Sequence, residues 1–190
     1  MQELQSPGAG LPALERVVLN SAFKLGCFLT SDERALGQFE RELDTLLAIV
    51  NAADLDGVCE PVLISRITGI EDSSRNWSLL MVLEHLCMVN SDILKVIDAL
   101  NRGIIPKGEV AIDYYKPIAD LDVEVIDRFK DNAYDFLEVV RAHGKLKSNL
   151  TYAHPWFGML NAHGWNVLAA AHMRIHRKQA QAIVAKRGVI

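Results

Sequence analysis

Apolar residues return every three or four positions through long blocks of this 190-residue chain, and that 3.6-residue period constrains the fold more than any motif does. Between Thr30 and Ala53 the stripe is Leu36, Phe39, Leu43, Leu46, Leu47 and Val50, while Glu40, Arg41 and Asp44 fall largely elsewhere. Thr30-Ser31-Asp32-Glu33 opens this block; Thr30 is placed to cap it, and Glu33 to complete a capping box. A second block, WSLLMVLEHLCMVNSDILKVIDALNRG, is closed by Gly103. A third starts at Asp120 or Asp122 and runs through Val125, Phe129, Phe136, Leu137 and Val140 to His143-Gly144. Asn161 is placed to cap the last, which ends near Arg187-Gly188. A shorter helical pattern spans Leu14 to Phe28.

Four helices of about 20 residues with little strand signal predict an all-α four-helix bundle, with an extra N-terminal helix and long inter-helix loops. Residues 1–12 read as a flexible lead and 13–190 as a single domain, the size one hydrophobic core can serve. Residues 54–76, 103–120 and 145–160 read as connections, with Pro61 to Ile67 able to be extended. Connections this long inside a compact domain tend to carry function. The early helix can either cover the bundle or mediate self-association; the sequence does not decide.

Cys27, Cys59 and Cys87 are widely spaced with no CxxC, which argues against a disulfide framework and a cysteine-rich zinc site. The opening residues lack a signal-peptide pattern, and no uncharged apolar run reaches the ~20 residues of a membrane span, so a cytoplasmic location is expected. Net charge is −4, yet residues 141–190 hold eight Lys or Arg and no Asp or Glu. Basic residues suit the C-terminal end of a helix dipole. An acidic chain with no reading motif gives little reason to expect nucleic-acid binding.

The chemistry-bearing segment is HGWNVLAAAHMRIHRKQAQAI. His172 and His176 stand at i, i+4, so they project from one helix face a turn apart, a spacing that lets two imidazoles reach one ion. At ~100° per residue they share a stripe with Trp165, Ala169, Gln179 and Ile183, which is mostly apolar and therefore inward. His163 falls on the opposite side, and Arg174, Arg177 and Lys178 point away from the stripe. His85, flanked at helical spacing by Met81, Val82, Met88 and Val89, is the best third ligand; His154 is weaker and His143 weaker still. Three inward imidazoles without a metal would instead need hydrogen-bond partners that these stripes offer sparingly.

Trp77-Ser78, Glu84-His85-Leu86, His154-Pro155-Trp156-Phe157-Gly158, Trp165 and His172-xxx-His176-xx-Gln179, in that order, resemble the DinB-like superfamily of metal-binding four-helix bundles. The resemblance spans about Thr30 to Arg187 and leaves the first helix outside. It implies an up-down-down-up bundle, a divalent transition metal (commonly zinc or nickel) on His85, His172 and His176, and a homodimer. Characterised relatives include transferases and isomerases that use low-molecular-weight thiols, and many others have no known activity. One departure is Met81, where relatives often carry the acidic residue of a capping box.

Two functions follow as expectations. One is a metal-dependent enzyme, a hydrolase or thiol-dependent transferase acting on a small molecule, with His154, Tyr114 or Tyr115 available for proton transfer and Gln179 for orienting a ligand. For the tyrosines, loop packing is the simpler role. The other is a non-catalytic bundle that a metal stabilises, with a binding or structural role. Imidazole alone does not select the metal.

Overall fold

The computed structural model describes residues 4–188. Its helices are α1 (Ala13–Leu29), α2 (Asp32–Ala52), α3 (Leu55–Cys59), α4 (Leu79–Asn101), α5 (Val125–His143) and α6 (Ala162–Arg187). Two antiparallel ribbons join them. β1 (Val62–Leu63) pairs with β2 (Asn76–Trp77), and β3 (Tyr152–His154) pairs with β4 (Gly158–Leu160). No helix among the described residues is long and apolar enough to cross a membrane.

Helix ends follow local chemistry. Ser31, Asp54, Ser78 and Asn161 each accept a backbone N–H from Arg34, Gly57, Met81 and Gly164 respectively, at about 1 kcal/mol per cap. The cap of α2 is therefore Ser31, one residue beyond the expected Thr30, whose own N–H still bonds back to Gly26 of α1. Ser78 caps α4 although Met81 supplies no carboxylate, because the hydroxyl needs only the Met81 N–H. At its far end α4 closes in a Schellman arrangement. Ile104 N–H reaches the Ala99 carbonyl at 2.8 Å and Gly103 N–H the Leu100 carbonyl at 3.2 Å, with Gly103 at φ +80°.

The core lies between α2, α4, α5 and α6. Phe39 and Phe136 stack across α2 and α5 with centroids 4.5 Å apart, among fully buried Leu43, Leu46, Leu83, Leu86, Ile97 and Leu137. Burial of each such side chain stabilises by about 1.5–3 kcal/mol. Polar pairs mark how the helices run. Arg128, Asn132 and His143 of α5 meet Glu84, Ser91 and Asp98 of α4, so partners advance together. His163 and Arg177 of α6 meet Asp32 and Glu42 of α2 in the same way.

The helix α1 lies over α6 and has no buried residue. It is fastened by ties rather than core packing. Glu15 pairs with Arg66 and accepts Gly69 N–H at 2.8 Å, Asn20 donates to the Trp156 carbonyl at 2.8 Å, and Phe23 packs on Phe157 at 4.4 Å. Within residues 4–12, Gly10 N–H bonds Glu71 and Gln5 N–H bonds Asp72.

The three connections are more built than the sequence reading had them. Residues 54–76 hold α3, β1 and a 3₁₀ turn at Asp72–Ser74; the stretch from 102 to 124 holds another at Ile112–Tyr115; and 145–160 holds the β3–β4 ribbon. Strands of two or three residues are too short to print an alternating pattern. Helix α5 begins at Val125, later than Asp120 or Asp122; the Asp122 side chain and carbonyl instead form the turn that leads into it.

Candidate metal centre

The inward stripe of α6 is as its spacing predicts: Trp165, Ala169, His176, Gln179 and Ile183 are buried and His172 half-buried. Facing it, α4 presents His85. One ring nitrogen from each of His85, His172 and His176 lies within 4.8 Å of the others. Among the described residues this is the one cluster of His, Cys, Asp or Glu with such spacing. His143 and His163 stand elsewhere. His143 bonds Asp98, and His163 bridges Asp32 and the Cys27 carbonyl, tying the α1–α2 turn to the start of α6. Arg174 and Lys178 are exposed, while Arg177 pairs with Glu42 at 2.7 Å, so the basic charge of α6 is largely a solvated face.

Hydrogen bonds fix the tautomers. His85 Nδ1 lies 2.6 Å from the Tyr115 carbonyl, which only accepts, so Nδ1 carries the proton and Nε2 the lone pair. His176 Nδ1 lies 2.7 Å from Gln179 Oε1. The Gln179 amide cannot be reversed, because its Nε2 donates to the Ser74 carbonyl at 2.7 Å. His176 Nδ1 is therefore a donor too, and its Nε2 is bare. Gln179, which the sequence offered for orienting a ligand, thus orients a histidine. Tyr115 and Ser74 contribute backbone carbonyls, which no side-chain pattern announces.

His172 Nε2 sits 3.1 Å from His85 Nε2, and His172 Nδ1 is buried without a partner. Among three converging nitrogens only one proton, that of His172, is available for a hydrogen bond. A cation satisfies all three lone pairs at once. Two nitrogens bound tetrahedrally at about 2.0–2.1 Å stand about 3.3 Å apart, close to the His85–His172 spacing. The donor set therefore fits a divalent transition metal. Burial, the larger cause for each ring, holds His85 down to about 4 and His172 and His176 well below the ordinary imidazole range; Lys116 adds to it at His85, and repulsion from neighbouring rings at His172 and His176. Three neutral imidazoles at pH 7 are ready ligands.

The indole of Trp77 closes one side, 5.1 Å from the His85 ring and stacked at 6.0 Å on His176. Beyond it Lys116 Nζ bonds Glu71 at 2.6 Å and Ser74 Oγ at 2.7 Å. Burial alone would raise the Glu71 carboxyl; Lys116 and the Gly10 N–H hold it below the usual carboxylate range. The cysteines take no part in the cluster, and burial pushes Cys27 up to about 11 and Cys87 to about 12.

The three histidines line a cavity of about 640 Å³ that runs beneath α1. Its position separates the three residues available for proton transfer. Tyr114 is 72 % exposed and off the cavity wall. Tyr115 reaches the wall, but its hydroxyl donates to Asp92 at 2.9 Å, and burial together with Asp92 pushes its pKa up. His154 lines the cavity and accepts the Trp156 N–H on Nδ1 at 3.1 Å, which leaves its proton on Nε2.

Among solved structures, the chain is similar to TT2238, described as a four-helix bundle protein, at 28 % identity and a TM-score of 0.60. The match covers 80 % of this chain and 99 % of that one. No protein-family model matches the chain, and no curated protein does. The likeness and the geometry agree on an all-α helical bundle, and the geometry adds a three-histidine cluster compatible with a metal ion.

Proposed function

We propose that this protein is a metal-dependent enzyme of the DinB-like kind, a hydrolase or thiol-dependent transferase, whose ion (zinc or nickel) is held by His85, His172 and His176. The observation that carries the reading is the convergence of three neutral imidazoles on the wall of a cavity, with no fourth His, Cys, Asp or Glu in the cluster among the described residues. Catalytic sites keep three protein ligands and an open position, whereas structural sites close with four. The parallel partners along α4–α5 and α2–α6 support an up-down-down-up bundle to which α1 is an addition.

A divalent ion in this site supplies Lewis acidity that brings the pKa of a water or thiol toward neutrality. The protein's own groups do the rest. Tyr115 and Gln179 hold two imidazoles in the tautomer that ligation needs. Trp77 packs against the His85 and His176 rings on one side. His154, kept neutral by burial, offers its Nε2–H as a hydrogen-bond donor to a molecule in the cavity while its Nδ1 accepts from Trp156.

Elemental analysis of the protein as isolated, beside a His172→Ala variant, tests the site. About one divalent ion per chain is expected, and a loss of most of it in the variant. Equal metal in both would show the site to be wrong. Turnover of a chromogenic electrophile by the metal-loaded protein, with and without a low-molecular-weight thiol, separates transfer from hydrolysis. Absence of turnover in either arm, with metal bound, favours the second reading, a bundle that the ion merely braces between α4 and α6.

A further inference from the structure

We propose that the cavity beneath α1 takes a predominantly apolar small molecule that meets the three-histidine centre through a single donor group. This rests on the metal-centre reading and adds the substrate's chemical class.

The wall is carbon-rich where a ligand body would lie. Leu19 and Phe23 of α1 face Val89 and Ile93 of α4, with Ile112 and Phe157 from the connections. Its acidic groups are already engaged. Glu71 holds Lys116 and the Gly10 N–H, and Asp92 holds Lys95 at 2.7 Å and the Tyr115 hydroxyl at 2.9 Å. Two cations on the wall, Arg174 and Lys178, make no ion pair among the described residues and are both exposed to solvent. A polar or multiply charged molecule would therefore find few inward partners for its hydrogen bonds.

The helix α1 sharpens the point. It crosses the cavity with no residue buried, although Leu19 and Phe23 are turned toward it. Interiors leave few voids larger than a water molecule, and an apolar cavity offers water poor partners. A space of about 640 Å³ falls in the range that encloses a drug-sized ligand. A bound apolar body would supply the packing that α1 lacks.

The test uses full-length protein loaded with cobalt(II) and a series of straight-chain hydroxamic acids from two to ten carbons. The visible cobalt spectrum reports the head group at the metal, and calorimetry reports affinity. Dissociation constants are expected to fall about fourfold per added methylene over at least four methylenes, the factor that ~0.8 kcal/mol per buried methylene gives. In Phe23→Asp the ratio between the longest and shortest acids is expected to shrink at least fivefold. A cobalt spectrum that responds to the shortest acid while affinity stays flat with chain length would overturn this inference and leave the metal centre standing. Failure to bind cobalt or zinc would overturn the metal centre and this inference with it. The series in the unaltered protein decides even where the Phe23 variant folds poorly.

Discussion

Replacing Gln179 by Leu isolates the contribution of one buried amide to the metal centre. Gln179 is fully buried; its Oε1 accepts from His176 Nδ1 at 2.7 Å and its Nε2 donates to the Ser74 carbonyl at 2.7 Å. Leucine fills most of the space and makes neither bond, leaving a ring N–H and a carbonyl without partners. Each orphaned group costs about 1–3 kcal/mol of stability in the metal-free protein. Loss of the orienting partner should also weaken metal binding by roughly 10- to 100-fold. The two effects separate in a thermal melt run with and without zinc. At free zinc of about 100 times the wild-type dissociation constant, the ion stabilises wild type by about 2.7 kcal/mol. For a thirtyfold weaker variant the same zinc gives only about 0.9 kcal/mol. For a chain this size the zinc-induced rise in Tm should then drop from about 5–11 °C to about 2–4 °C. Chelator competition gives the dissociation constants directly. A variant that binds zinc within twofold of wild type would show that His176 is not a ligand or does not depend on Gln179.

Other outcomes follow from the same structure. The metal-free protein should lose stability as pH falls. His85 and His154 are held down to about 4 and His172 and His176 well below the ordinary imidazole range, so between the unfolded imidazole value near 6.5 and about 4 the unfolded chain binds more protons. Their contribution is complete above about 6.5, and the urea midpoint should fall steadily from pH 7 to 4.5; a flat profile would refute it. Gly69→Ala should cost about 1–3 kcal/mol in urea unfolding, because Gly69 sits at φ +92° and a Cβ there would stand 3.0 Å from Ile175 Cδ1. His154→Asn should lower turnover roughly 10-fold, the cost of one lost orienting hydrogen bond, and leave metal content unchanged; reduced metal content would assign His154 to the site's structure instead.

Much of the centre was legible because helical phase is a strong constraint. The i, i+4 spacing of His172 and His176 leaves little freedom once the stripe through Trp165, Gln179 and Ile183 is known to face inward, and the same arithmetic removes His163. His85 followed from its apolar flanks. The first cap was missed by one residue because Thr30 and Ser31 are both competent, and the choice depends on where α1 ends: the Thr30 N–H is spent on the Gly26 carbonyl. The β3–β4 ribbon was illegible for its length. The cavity was illegible in kind, since it is made by α1 lying across residues that are mostly far away in sequence, from Thr68 to Lys178.

The supports of the histidines show why this bundle carries long connections. Inside a helix almost every carbonyl is taken by the amide four residues on, so a bundle interior offers few backbone acceptors to an imidazole N–H. Acceptors have to come from backbone outside the long helices. Here the Tyr115 carbonyl belongs to the 3₁₀ turn between α4 and α5, and the Ser74 carbonyl, which fixes Gln179, to the 3₁₀ turn before α4. The Tyr115 hydroxyl on Asp92 and the Lys116 ammonium on Glu71 and Ser74 then pin those turns against each other and against α4. Substituting Tyr115 leaves its carbonyl in place and removes only the pin. Tyr115→Phe should therefore weaken metal binding far less than Gln179→Leu, although both residues stand one bond away from a histidine of the cluster.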